Sequence, residues 1–374
     1  MCKSKKNILF VETTGEVGGA EISLLNLLRY IDRYKAFVVI PKKGPLLTRL
    51  MSMKIPVYIL PLPQGSRANS IPWAWSVFKL AILCRRLRIN LVHSNHEFAN
   101  RHVSISARLS GIKQICHVRN IQTIHSFRHY WLGLAPLLVA NSKATERSYH
   151  KYMKAGQRSF VVYNGVDLSI FDGIRRSKIN YGFSEDSFVV AQIGRVVRDK
   201  GFHLFLEAFL KVAPIRPEVI GVIVGDTSVD GETEYYRQLK KMINEHNLQE
   251  RFLFLKHVQN IPDFLGSIDL LVHPSRSEGF GRILCESMAM RTPVIATDVD
   301  AIPEIVENGI SGLLIPWGDA MALANAIVQV IENPQLYGKL AKNARLRMEE
   351  HFSQERQVMQ IQELYDQLLI QFHN

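Results

Sequence analysis

Two carboxylates, Glu278 and Glu286, stand eight residues apart in the segment EGFGRILCE, which follows the apolar run LLVHPS and opens the helical pattern ESMAM. Glycines at a strand-to-helix turn let backbone approach a ligand closely. The first turn of the new helix offers free N–H groups and its positive dipole end to an anion. A diphosphate suits that place. With Glu278 in the loop and Glu286 inside the helix, the two can grip different parts of one elongated ligand, accepting hydrogen bonds from its hydroxyls. The same pattern also fits a glycine-rich turn followed by a solvated glutamate.

A second segment, GRVVRDKG at Gly194–Gly201, again follows a buried-strand pattern and precedes a helix. Arg195 as a planar fork and Lys200 as a point charge are suited to clamping a pyrophosphate. They would neutralise a departing nucleotide diphosphate without a metal. An ordinary basic loop reads the same way. A third segment, GEVGGAE at Gly15–Glu21, matches the dinucleotide fingerprint poorly, and no acidic residue ends the next apolar run, Phe37–Ile40, to await a ribose. It reads as a loop facing the cleft between domains. His93, His96 and His117 lie at or just after the ends of apolar runs, where open α/β sheets face their ligand crevice. Arg119 sits two residues beyond His117, placed to bind a phosphate.

These groups need elements to carry them. Short apolar, non-alternating runs alternate with longer helical patterns. The first half has Ile8–Val11, Phe37–Ile40, Val57–Leu60, Leu91–Ser94, Ile115–Val118, Leu137–Ala140 and Val161–Tyr163. The second has Phe188–Ile193, Ile220–Val224, Phe252–Leu255, Leu270–His273, Val294–Ala296 and Leu313–Ile315. Such runs suit parallel strands covered on both faces. Phe202, Phe205, Leu206, Phe209 and Leu210 share a helical face. So do Ala322, Leu323, Ala326, Ile327, Val330 and Ile331, after an N-cap at Asp319 and before a stop at Asn333–Pro334. Two doubly wound sheets follow, as a chain of 374 residues leads one to expect. The expected division is residues 1–166, with 355–374 as a returning helix, and residues 167–354. The join falls near Gly165–Ser187.

Composition narrows the class. The net charge of +12 is uneven: residues 1–175 carry 26 Lys and Arg against 8 Asp and Glu, a net +18, and the remainder is −6. A half so basic points to an anionic partner. The segment Ile71–Arg88 carries Trp73, Trp75 and Phe78 and ends in Arg85, Arg86 and Arg88, as a helix lying in a membrane interface would; a packed helix with a basic end fits as well. Cys2, Cys84, Cys116 and Cys285 show no metal or redox spacing and suit a reducing compartment. The opening MCKSKKNILFVE has too short an apolar run for a secretory signal, and no run approaches the ~20 residues of a membrane span.

Taken in order, these segments resemble the large retaining glycosyltransferase family with the GT-B fold and the E-x7-E motif, the glycosyl transferases of group 1 and family 4. The resemblance covers nearly the whole chain. ANSKAT at Ala140–Thr145 is similar to the strand that closes the family's N-terminal domain, and VVYNGVDLSIF at Val161–Phe171 to its interdomain entry. FLFLKHVQNIPDFLGSIDLLVHPSRSEGFG resembles the run into the donor site, and TPVIATDVDAIPEIVENGISGLLIPWGD the segment after it. The resemblance implies two Rossmann-like domains facing across a cleft, with the C-terminal helix crossing back to the first. It implies a nucleotide diphosphate-sugar donor, a glycan or lipid-linked acceptor, and no cofactor or metal.

Residue roles follow by position. Arg195 and Lys200 would bind the donor phosphates. Glu278 would touch the sugar hydroxyls and Glu286 the ribose. The backbone of Gly279, Phe280, Gly281, Ile283 and Leu284 would meet the sugar and β-phosphate. Gly18 and Gly19 would close over the donor, and His257 and Val258 would pack near the base. His117 would assist the transfer by positioning, charge stabilisation or proton movement, and His93 and Arg119 would bind acceptor. Relatives usually show two glycines where Asp300 and Ala301 stand, so a carboxylate and a methyl are expected to crowd that loop. The reading is a cytoplasmic enzyme of polysaccharide or glycolipid assembly, peripheral on the inner face of the cell membrane. Other GT-B chemistry, an epimerase or a phosphorylase, and a silent member acting as a binding partner are the alternatives. Nucleic-acid binding is excluded for want of an aromatic-basic RNA motif or a helix-turn-helix pattern.

Overall fold

The computed structural model describes residues 5–63, 70–225, 233–256, 258 and 260–370, which form two compact units. The first runs to Gly165 and takes up the chain again at Gln354; the second is Val166–Ser353. Among the described residues no helix is long and apolar enough to cross a membrane.

Among the described residues unit 1 is built on seven strands: β1 (Asn7–Val11), β2 (Lys35–Ile40), β3 (Val57–Ile59), β4 (Leu91–Ser94), β5 (Lys113–Val118), β6 (Leu137–Ala140) and β7 (Arg158–Val161). Their order is β3-β2-β1-β4-β5-β6-β7 and every pairing is parallel. Successive side chains serve opposite faces, so a strand covered on both sides must be apolar throughout. On β1, Ile8 and Phe10 pack with Leu24 and Leu28 of the helix Gly19–Tyr30 and with Ile361 and Tyr365 of the helix Gln354–Ile370. Leu9 and Val11 pack on the other face with Leu80, Cys84 and Val103. The last strand lies a few residues earlier than the apolar run Val161–Tyr163 suggests. Its register is set by β6, with Leu137 opposite Arg158 and Ala140 opposite Val161, so the ladder takes residues that composition alone would leave out.

Among its described residues unit 2 has six parallel strands: β8 (Phe188–Ile193), β9 (Val219–Val224), β10 (Phe252–Leu255), β11 (Leu270–His273), β12 (Val294–Thr297) and β13 (Leu313–Ile315), in the order β10-β9-β8-β11-β12-β13. Its core is aromatic where the helix Phe202–Val212 meets the sheet: Phe205 and Phe209 lie 5.1 and 5.0 Å from the Phe252 ring. Gly221 makes room for that ring, since a Cβ there would come within 2.4 Å of it. Asp319 starts the helix Ala320–Glu332 by accepting the Ala322 N–H at 2.8 Å, and after the stop Asn333 caps the next helix, Pro334–His351.

Candidate functional site

In unit 2 the chain winds outward from β8 through β9 to β10, then returns to place β11 on the other side of β8. The reversal leaves a crevice beyond the carboxyl ends of β8 and β11, the place where open α/β sheets bind ligands. The loop after β8 carries Gly194–Gly201 and leads into the helix Phe202–Val212. The loop after β11 carries Pro274–Gly281 and leads into the helix Arg282–Ala289. The two loops are tightly apposed. Gly201 has φ +72°, and a Cβ there would lie 2.0 Å from the Pro274 carbonyl oxygen. The Arg276 N–H donates to the Asp199 carbonyl at 2.8 Å.

Three side chains converge there. Lys200 Nζ donates to Glu278 Oε2. His273, the last residue of β11, places Nε2 3.1 Å from the same oxygen and 3.0 Å from Ser275 Oγ. Burial alone would push the Glu278 carboxyl up, but the Lys200 ammonium and the His273 hydrogen bond outweigh it and hold the carboxyl well below the usual range. Burial, with Lys200 nearby, lowers His273, so a neutral imidazole with its proton on Nε2 donates to an ionised glutamate. Glu286 is held by Arg282 at 2.8 Å across one helical turn. Arg195 is exposed. Phe280 and Leu284 are buried, leaving their backbone as the part that can meet a ligand. Val258 is buried, and His257 lies outside the described residues. The arrangement brings an anion-stabilising lysine, a hydrogen-bond-accepting carboxylate and a helix amino terminus to one edge. Residue type and spacing pointed to Lys200 and Glu278. His273 and Ser275 were missed, although a histidine ending a strand at a topological reversal is a usable signal.

Asp300 corrects the expectation of a crowded loop. Its backbone has φ +45°, the left-handed region that glycine or asparagine enters most readily. Its carboxylate accepts the Ser277 hydroxyl and, at 3.0 Å, the Glu278 N–H. Ala301 is buried and donates its N–H to the Glu278 carbonyl at 3.3 Å. The pair therefore fastens the segment that presents Glu278. Asp300→Gly keeps the backbone conformation but not these bonds, so it is expected to melt close to wild type. Its turnover should fall about tenfold, the effect of a small misplacement of one catalytic-site group. Asp300→Asn, which keeps an acceptor, should recover most of the loss in a steady-state assay.

Unit 1 has its own reversal, between β1 and β4. Glu12, just beyond β1, is fully buried; burial first, then the nearby Glu21 charge, pushes its carboxyl up to about 8. Glu97 is equally buried, yet its carboxyl is held down. Burial raises it, but His96 beside it and the Arg119 N–H outweigh that, and Asn120 and Gln122 also donate to it. The neighbouring charge separates the two first, His96 lowering Glu97 and Glu21 raising Glu12, with hydrogen bonds adding to the difference.

Several expected acceptor-side roles need correction. Arg119 is buried and its guanidinium is spent internally: Nε on the Asn95 carbonyl at 2.7 Å, one terminal nitrogen on Asn95 Oδ1 at 2.7 Å, the other on Asn164 Oδ1 at 2.9 Å and Ser23 Oγ at 3.3 Å. It holds unit 1 together and is not presented to a phosphate. His93 is fully buried with Nδ1 2.5 Å from the Tyr365 hydroxyl, and burial pushes it down to about 3. His117 is buried beneath it, the rings stacked 5.6 Å apart, and burial with the Arg119 charge lowers it far below the usual range. His93 therefore sits in the core of unit 1 against Tyr365, while both His117 ring nitrogens are buried with no hydrogen-bond partner among the described residues. Gly18 caps the helix Gly19–Tyr30, its N–H donating to Glu21 at 2.9 Å.

Residues 174–347 match the family Glycosyl transferases group 1, and residues 17–170 match Glycosyltransferase Family 4. The chain is 30% identical over 214 residues to the lipopolysaccharide core biosynthesis mannosyltransferase LpsB of Rhizobium meliloti (strain 1021). That alignment takes in 56% of this chain and spans 61% of the relative's length. It is 26% identical over 320 residues, 79% of this chain and 80% of the relative, to the UDP-Gal:alpha-D-GlcNAc-diphosphoundecaprenol alpha-1,3-galactosyltransferase of Escherichia coli. Among solved structures, Anabaena Alr3699/HepE in complex with UDP-glucose superposes with a TM-score of 0.85 at 27% identity, covering 96% of this chain and 99% of that one. The two family matches divide the chain between them, one for each doubly wound sheet, and the chain belongs to the group 1 glycosyltransferases of GT-B fold.

Proposed function

We propose that the chain transfers a sugar from a nucleotide diphosphate-sugar to a glycan or lipid-linked acceptor, with retention at the anomeric carbon and without a metal. The observation that carries this reading is the convergence of Lys200, Glu278 and His273 at the reversal of unit 2, beside the start of the helix Arg282–Ala289. Lys200 and Arg195 supply positive charge for the departing diphosphate. Glu278, ionised and held by two donors, accepts hydrogen bonds from sugar hydroxyls, and Glu286 those of the ribose. Engagement of Glu278 with Lys200 and His273 supports a ligand role over that of nucleophile. The acceptor would then attack on the face the nucleotide leaves, and unit 1 would carry the acceptor. The Anabaena structure holds UDP-glucose, and the name of the Escherichia coli relative specifies a diphosphoundecaprenol-linked acceptor. Both support a nucleotide-sugar donor, and the second supports assembly of a lipid-linked glycan.

The test is a screen of UDP-, GDP- and ADP-sugars without divalent metal. One nucleotide should stabilise the protein against heat by about 2.7 kcal/mol at a hundred times its Kd. NMR of the transfer product should show the donor's anomeric configuration. An inverted product would remove the retaining mechanism, and no stabilisation by any nucleotide would remove the donor site.

A further inference from the structure

Unit 1 has a hollow of about 660 Å³ walled by Ile124, Phe127, Trp131, Leu134 and Tyr152. Arg128, Lys151 and Lys154 also line it, and among the described residues no acidic side chain does. Among the described residues these three cations form no ion pair. The hollow lies where β6 and β7 begin, since Trp131 and Leu134 precede β6 and Tyr152 and Lys154 precede β7. Ile124, Phe127 and Arg128 come from the helix Ile124–His129, which follows β5.

The helix Ser70–Arg86 covers the same face. Val11, Ser94, Cys116 and Leu138 are register partners across β1, β4, β5 and β6, so they share a side. Val11 packs in the cluster with Leu80 and Cys84 of that helix, and Cys116 and Leu138 in the cluster with Phe127 beside the hollow. Trp73 of the helix also meets Trp131 edge-on at 5.7 Å. The outward side of the helix is not polar. Ile71, Trp75, Phe78 and Ile82 are 81%, 56%, 48% and 46% exposed and follow one another along one line. Lys79 lies over Trp75 at 5.3 Å, and Arg85 and Arg86 end the helix. Large apolar side chains in a row beside cations mark a surface made for a lipid interface.

We infer that this face of unit 1 docks on an anionic phospholipid surface, the stripe entering the interface and the hollow seating one lipid phosphate between Arg128, Lys151 and Lys154. The lipid's first chain carbons would lie against Phe127, Trp131 and Tyr152. Charge selects a lipid over a neutral apolar partner, because three cations without counter-charges rim an apolar floor. The stripe selects a membrane over a free anion, because a soluble phosphate has no use for it. The docking does not depend on the donor site.

The experiment is flotation of the full chain with vesicles of phosphatidylcholine alone or mixed with phosphatidylglycerol. Three proteins are compared: wild type, the stripe variant Trp75→Ser/Phe78→Ser, and the hollow variant Arg128→Gln/Lys151→Gln/Lys154→Gln. All the changed side chains of the stripe are solvent-exposed, and melting temperature and hydrolysis of the donor sugar in solution report that fold and donor site are intact. Wild type should float with the mixed vesicles and not with phosphatidylcholine alone. The hollow variant should bind about 100-fold more weakly, at roughly fivefold for each lost cation. The stripe variant should bind at least about tenfold more weakly. Equal binding to both vesicles, or none, overturns the inference. So does a hollow variant that floats like wild type, or wild-type binding that inorganic phosphate abolishes at an ionic strength where chloride does not.

Discussion

Glu278→Ala is expected to lower turnover about 100- to 1,000-fold while leaving nucleotide diphosphate affinity within a few-fold of wild type, the range seen when one electrostatic contact to a transition state is removed. Lys200→Ala should lower turnover to a similar extent and also weaken nucleotide binding. The difference follows from position. Both side chains meet at one oxygen, but Lys200 comes from the loop after β8 and is the cation, whereas Glu278 comes from the loop after β11 and is the acceptor. Removing the lysine takes away the charge a diphosphate needs and one of the two groups that keep Glu278 ionised. The sign of the pH dependence follows. The folded-state carboxyl of Glu278 is depressed, so its ionised form, and the stability that form contributes, is complete above its ordinary value near 4.5 and lost only in strong acid. A pH–rate profile of wild type should therefore show no limb from Glu278 between mildly acidic and neutral pH. In Lys200→Ala burial acts with less opposition, and a limb should move up into the measurable range. Calorimetric titration with UDP, GDP and ADP beside steady-state kinetics separates the two variants. Equal loss of nucleotide affinity in both would mean that Glu278 serves the nucleotide and not the sugar.

Arg119→Ala is expected to destabilise unit 1 by about 3–5 kcal/mol, because it removes one member of a buried charged network and leaves its partners unsatisfied. Asn95 would lose two hydrogen bonds and Asn164 one, and Glu12, whose carboxyl the Arg119 charge lowers, would be driven further toward its protonated form. For a unit of this size the melting temperature should fall by roughly 10 °C. Differential scanning calorimetry checks it. Had Arg119 been an acceptor ligand, the variant would melt like wild type and show only a raised acceptor KM. That outcome would restore the role first expected of it.

Lys200 and Glu278 were legible from residue type, because a loop that leaves a buried strand and enters a helix has few uses for a lysine or a glutamate beside glycines. His93 and Arg119 read the same way and were misjudged. A polar residue at the end of a strand looks alike in sequence whether its side chain leans over the sheet edge or into a face. His93 sits opposite Phe10 in the ladder, so it faces the interior side that Tyr365 covers from more than 270 residues away. No local pattern could announce that partner. Asp300 was misread for a related reason. As a replacement for glycine it suggested crowding, but β12 lies beside β11, and that neighbourhood brings its carboxylate to the Glu278 N–H across 22 residues.

By itself the sequence determined the number and kind of elements, because hydrophobic run length and turn chemistry act locally and every parallel strand must be apolar on both sides to be buried. It also placed glycines where the loops of unit 2 touch, since no side chain fits at Gly201. Only the tertiary structure decided which polar groups meet. Strand order and register set those contacts, and their energies depend on burial and on the charges brought beside each group, as the opposite shifts of Glu12 and Glu97 show for one residue type at one depth.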